Sequence, residues 1–97
     1  MSRVSDKPYW LYVLWSPSGG RFYIGVSDDP DRRLAQHNDA GARSWTRRYS
    51  PWNLVHTERY ASYREARERE LELKNQKGGV GFFTKTKLDP SDFGRGS

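Results

Sequence analysis

Hydrophobic and polar positions divide the chain into three short runs of strand character and three helical ones. Tyr9 to Trp15 (Tyr-Trp-Leu-Tyr-Val-Leu-Trp) is short, rich in β-forming residues and without helical spacing, which predicts a strand. Ser16-Pro17-Ser18-Gly19-Gly20 has turn composition, and Arg21 to Val26 is the return strand of a hairpin. The expected register sets Tyr12 directly opposite Tyr23, both on one face of the sheet. Ser27-Asp28-Asp29-Pro30 predicts a helix start, with an aspartate N-cap and proline in the first turn. That helix runs to about Asn38, with Leu34 as its expected buried residue and Arg33 and His37 sharing a flank. Gly41 to Pro51 is a loop or a single helical turn, and Trp52 to Tyr60 alternates as a third strand. Ser62 and Glu65 form a capping box that opens a helix ending near Gln76, before Lys77-Gly78-Gly79. Val80 to Leu88 predicts a short helix that docks Phe82 and Phe83, and Asp89-Pro90 breaks it.

Within the second long helix one residue is out of place. At about 100° per residue, Tyr63, Ala66 and Leu73 share an inward face, while Glu65, Glu68 and Glu72 lie on the opposite side. Glu70 falls between Ala66 and Leu73, toward the sheet. A carboxylate directed inward is costly unless it is paired or holds a cation. Three readings follow: a salt bridge, with Arg33 or Lys74 as partner, a snorkel to the domain edge, or a ligand for a hard divalent ion.

Composition narrows the setting. With 97 residues the chain is one domain, taken as 9–88 between a frayed 1–8 and a disordered tail at 89–97. Cysteine is absent, which excludes disulfides and thiolate metal sites. No apolar run approaches the ~18 residues of a membrane span, so the expectation is a cytoplasmic protein with no membrane partner. Seventeen basic against twelve acidic residues give a net charge of +5, which favours a polyanionic partner. Arg43, Arg47 and Arg48, interleaved with Trp45, are candidate nucleic-acid contacts, arginines for phosphates and the indole for stacking; the alternative is a solvated basic loop whose tryptophan folds into the core.

Four landmarks in order carry a family resemblance: Tyr12, then Tyr23-Ile24-Gly25, then Arg33 with His37, then Arg69-Glu70 on a later helix. From about Tyr9 to Lys74 the chain resembles the GIY-YIG nuclease domain. The nearest likeness is to standalone bacterial members related to the excision-repair (UvrC) nuclease domain. Trp10-Leu11-Tyr12 keeps the tyrosine of the first half-motif but lacks its glycine, and Asn75 lies too close to Glu70 to fill the late asparagine position of homing-type members.

The resemblance implies an α+β fold, a small three-stranded antiparallel sheet flanked by helices, as the hydrophobic pattern also does. It implies divalent-metal-dependent hydrolysis of DNA phosphodiester bonds, with one Mg²⁺ or Mn²⁺ on Glu70. Arg33 would clamp a phosphate oxygen and Tyr23 would serve as general base, with Tyr12 and His37 positioning water and phosphate or relaying the proton. His37 as the base is the other assignment left open. No sequence-reading module is visible, so the expected substrate is a DNA structure met in repair or recombination, with a protein partner for targeting. The rival is a nuclease-like module that binds nucleic acid or docks a protein without cutting.

Overall fold

The computed structural model describes residues 7–39, 48–76 and 79–93. The elements in chain order are β1 (Tyr9–Ser16), β2 (Arg21–Ser27), α1 (Pro30–Asn38), β3 (Asn53–Tyr60), α2 (Tyr63–Lys74) and α3 (Val80–Thr86). A 3-10 turn, Pro90–Phe93, follows. The strands form one antiparallel sheet in the order β2-β1-β3. The fold is α+β, as the hydrophobic pattern predicts.

The central strand β1 is covered on both sides, which explains its unbroken apolar run: Leu11, Tyr12, Val13 and Leu14 are all buried. Alternation sends Leu11 and Val13 to one face, where they meet Phe22, Ile24, Leu73 of α2 and Phe82 of α3. Tyr12 and Leu14 go to the other, where they meet Trp52, Tyr23, Leu54 and Leu34 of α1. β3 keeps this division across a bulge. Val13 pairs with His56 and Leu14 with Leu54, so Val55 is the extra residue and packs with the first cluster.

The hairpin register differs from the expectation. Tyr12 pairs with Gly25 and Tyr23 with Leu14, a shift of two residues. Its cause is Ser16, which belongs to the strand rather than the turn and pairs with Arg21. Its hydroxyl accepts from Gly19 N at 2.9 Å and donates to the Tyr49 carbonyl at 2.6 Å, while Gly20 closes the turn at φ 62°. A two-residue shift preserves side-chain parity, so both tyrosines still share a face.

Three smaller expectations change. In α1 the buried residue is His37, and Leu34 is half-buried. Tyr63 is exposed and meets Tyr9 edge-on instead of entering the core. The expected disordered tail starts too early: Phe93 packs on Trp15 and Phe22 with ring centroids 5.2 and 5.1 Å apart. The helix caps follow the sequence, with Asp29 accepting from Arg32 N and Ser62 from Glu65 N. α2 ends at Lys74, a turn's edge before the expected Gln76, and Lys77-Gly78 lie outside the described residues.

Candidate active site

The α1 face of the sheet gathers the tyrosines, the histidine and the arginine. Tyr12 and Tyr23 stack with ring centroids 6.2 Å apart, diagonal neighbours on adjacent strands. Gly25, opposite Tyr12, supplies the room: a Cβ there would lie 2.5 Å from the Tyr12 hydroxyl oxygen. The Asp29 cap and Pro30 set the start of α1, so that its last turn brings His37 over both rings. The His37 ring centroid is 4.4 Å from that of Tyr23, and its Nε2 is 3.3 Å from the Tyr12 hydroxyl.

Trp52 forms the wall behind them, 6.2 Å from Tyr23 and 6.5 Å from His37 between ring centroids. It is fixed by Asn38, the last residue of α1. The Asn38 Oδ1 accepts from Trp52 N at 2.6 Å, and its Nδ2 donates to the Trp52 carbonyl at 3.1 Å. This two-point clamp ties the end of the helix to the start of β3.

Electrostatics separate the roles of these groups. Burial and then the Arg33 charge lower the His37 pKa to about 4, so its imidazole is neutral at pH 7. Neutral, it can accept from the Tyr12 hydroxyl through Nε2 when the proton is on Nδ1. Burial raises the Tyr12 pKa; Arg33 opposes the rise, and Tyr23 and Glu70 add to it. The Arg33 guanidinium is stabilised chiefly by Tyr12, with a smaller contribution from Tyr23, and its Nη1 donates to Gln36 Oε1.

Glu70 is buried, at 6 % exposure, as its helical position predicts. Its charge reaches Tyr12, but no hydrogen bond links it to the other four residues among the described contacts. Instead its oxygens are divided between two cations of its own helix. Oε1 takes Arg67 Nη1 at 2.5 Å and Oε2 takes Lys74 Nζ at 2.9 Å. Lys74 is one of the partners the sequence suggested; Arg33 is not among the contacts. Both cations sit at the rim, with side chains 44 % and 46 % exposed. The i,i+3 and i,i+4 spacings were the signal that could have named them together.

Among the described residues no cluster of three or more His, Cys, Asp or Glu could hold a metal. A single inward carboxylate at an open rim fits a hard, mostly water-coordinated ion and not a nitrogen- or sulfur-ligated one. Arg43, Trp45 and Arg47 lie outside the described residues, and Arg48 is exposed beside Tyr49. Trp52 and Asn38 had no local signal, because their roles arise from contacts distant in sequence.

Residues 8–82 match the family model described as the GIY-YIG catalytic domain. A UPF0213 protein of Halobacterium salinarum is 40% identical over 64 residues, covering 66% of this chain and 82% of that protein. The solution NMR structure of a UPF0213 protein from Bacillus halodurans aligns with 84% of this chain and 97% of its own, at 28% identity and a TM-score of 0.44. The structure-specific endonuclease subunit SLX1 of Meyerozyma guilliermondii is 48% identical over 58 residues, covering 54% of this chain and 19% of that protein. With a matched model that spans most of its length, the chain belongs to the GIY-YIG catalytic domain family, a family of nucleases.

Proposed function

We propose that this protein is a divalent-metal-dependent endonuclease that hydrolyses DNA phosphodiester bonds at branched or otherwise irregular structures, in repair or recombination. The observation that carries the reading is the meeting of Tyr12, Tyr23, Arg33 and His37 on one face, with the buried Glu70 carboxylate in electrostatic reach of Tyr12. The choice of a structural substrate draws on the SLX1 relative, which is named as a structure-specific endonuclease subunit. A cytoplasmic location and a targeting partner belong to the same proposal.

Each residue has a physical role in it. The planar fork of Arg33 donates to the non-bridging oxygens of the scissile phosphate. Tyr12 is 1 % exposed and bonded to His37, whereas Tyr23 is only half-buried, so Tyr23 is the hydroxyl that meets an attacking water. The Tyr23 oxygen, beside the Arg33 guanidinium, takes the proton of that water as general base. Tyr12 and the neutral His37 fix the orientation of this pair, which is a positioning role. Glu70 would hold one Mg²⁺ or Mn²⁺, an ion that when bound stabilises charge on the phosphate and on the departing 3′ oxygen. Arg67 and Lys74, on exposed stems, swing aside to free the carboxylate.

The test is cleavage of plasmid and branched DNA with Mg²⁺ or Mn²⁺. Glu70→Gln, Tyr23→Phe and chelation should each reduce cutting by about 10²-fold or more, while DNA binding largely persists. Wild-type cutting by Glu70→Gln would remove the metal role. The second reading is a non-cutting binding module, favoured by the two cations already on Glu70. Binding without cutting on every substrate and metal tried would establish it.

A further inference from the structure

Among the described residues the arginines divide into those paired with a carboxylate and those that are not. Arg32, Arg64, Arg67 and Arg69 each pair with a carboxylate. Among the described residues Arg21, Arg33, Arg48 and Arg59 pair with none. Arg21 is opposite Ser16 and Arg59 opposite Trp10, which puts both on the Tyr12 side of the sheet. Arg33 belongs to α1 on that same side, and Arg48 adjoins Tyr49 of the same cluster.

Two of the four converge on one ring. The Arg21 guanidinium carbon is 4.3 Å from the Tyr49 ring centroid, and that of Arg48 is 5.9 Å from it. The platform itself is locked. The Tyr49 carbonyl accepts from the hydroxyls of Ser16 at 2.6 Å and Ser18 at 3.3 Å. The ring lies against Gly19 so closely that a Cβ there would be 2.6 Å from Tyr49 Cδ1. The sequence thus holds two guanidinium groups on a fixed ring at the hairpin end, with no described carboxylate to offset their repulsion. Like charges so placed are unfavourable unless an anion joins them.

We infer that Arg21 and Arg48, seated on Tyr49, form a phosphate-binding site for the DNA backbone next to the scissile position. Because Arg21 covers the ring, the site offers guanidinium donors rather than an open stacking face, which selects phosphate over a base. Arg21 and Tyr23 are two residues apart on one face of the edge strand β2. That is about 7 Å, roughly one nucleotide step of an extended sugar–phosphate chain. A strand held by Arg33 at the tyrosines would therefore continue onto Arg21 and Arg48. The inference rests on the nucleic-acid reading above and deepens it.

The experiment is fluorescence anisotropy with a labelled branched DNA in chelator, across a salt series, for wild type, Arg21→Ala/Arg48→Ala, Arg21→Gln, Arg21→Lys and Arg64→Ala. The double variant should bind about tenfold more weakly at moderate salt. Its slope of log affinity against log salt should fall by about 1.8, since each duplex phosphate contact contributes about 0.9. Arg21→Gln should show about half of this change, and Arg21→Lys should restore the slope by restoring the charge. Arg64→Ala, on the α2 face, should leave the slope unchanged. Circular dichroism checks that the variants fold, as exposed positions lead us to expect. Wild-type binding with an unchanged slope in Arg21→Gln overturns this site alone. No binding by the wild type at low salt overturns the nucleic-acid reading and this site with it.

Discussion

A methyl group at position 25 would fall 2.5 Å from the Tyr12 hydroxyl oxygen and 2.6 Å from its Cζ, so the ring occupies the space a side chain would need. Gly25→Ala should therefore cost about 1–3 kcal/mol, as overpacking does, and should separate Tyr12 from His37. Urea unfolding measures the first, and cleavage activity reports the second. His37 gives a pH dependence of defined sign. Its folded pKa of about 4 lies below the ordinary 6.5, lowered by burial and then by Arg33. Between those values the unfolded chain binds a proton that the folded chain does not, so stability should rise with pH from about 4 to 6.5 and then level off. His37→Gln should flatten that part of the profile of unfolding free energy; an unaltered slope would contradict a buried neutral imidazole.

The helix α2 serves both faces of its own chemistry. While Glu70 pairs with Arg67 and Lys74 of its own helix, Arg69 reaches β3 and α3. It donates to both oxygens of Glu58, at 2.9 and 3.1 Å, and to the Lys85 carbonyl at 3.0 Å. Burial alone would raise the Glu58 pKa, but hydrogen bonds from His56, Arg69 and Tyr60 reverse this and lower it to about 2. The stability this carboxylate contributes is present above its ordinary pKa of 4.5 and lost as pH falls toward 2. Arg69→Ala should cost about 2–3 kcal/mol, less than a fully buried pair because the Arg69 side chain is 21 % exposed. Chemical denaturation at neutral pH tests this. At this scale much was legible in the sequence. Period-two and helical patterns gave the elements, and the helical angle of Glu70 gave its burial. The hairpin register was not legible, since it turned on whether Ser16 joined the strand or the turn. That choice was made by a distant carbonyl, at Tyr49.

In the molecule as a whole, the described arginines that pair with no carboxylate, Arg21, Arg33, Arg48 and Arg59, all belong to the Tyr12 side of the sheet. Alternation in β1 explains the two-sided core, but the division of arginine partners depends on contacts between elements, which no local pattern encodes. The ends matter as well. Phe93 closes an aromatic group with Trp15, Phe22 and Phe83, so Phe93→Ala should lower stability by about 1–2 kcal/mol, below the cost at a fully buried site because Phe93 is half-buried. Thermal unfolding would register it.

The pairing of Glu70 with Arg67 and Lys74 has a consequence for the protein at rest. A buried carboxylate already neutralised by its own helix needs no external ion to hold its place. On the proposed reading, folding would not depend on the ion, and chelator should leave the melting temperature within about 1 °C of its value in Mg²⁺ at low occupancy of the ion. The idle protein would be a stable, cation-free reserve, ready to be charged when ion and DNA arrive together.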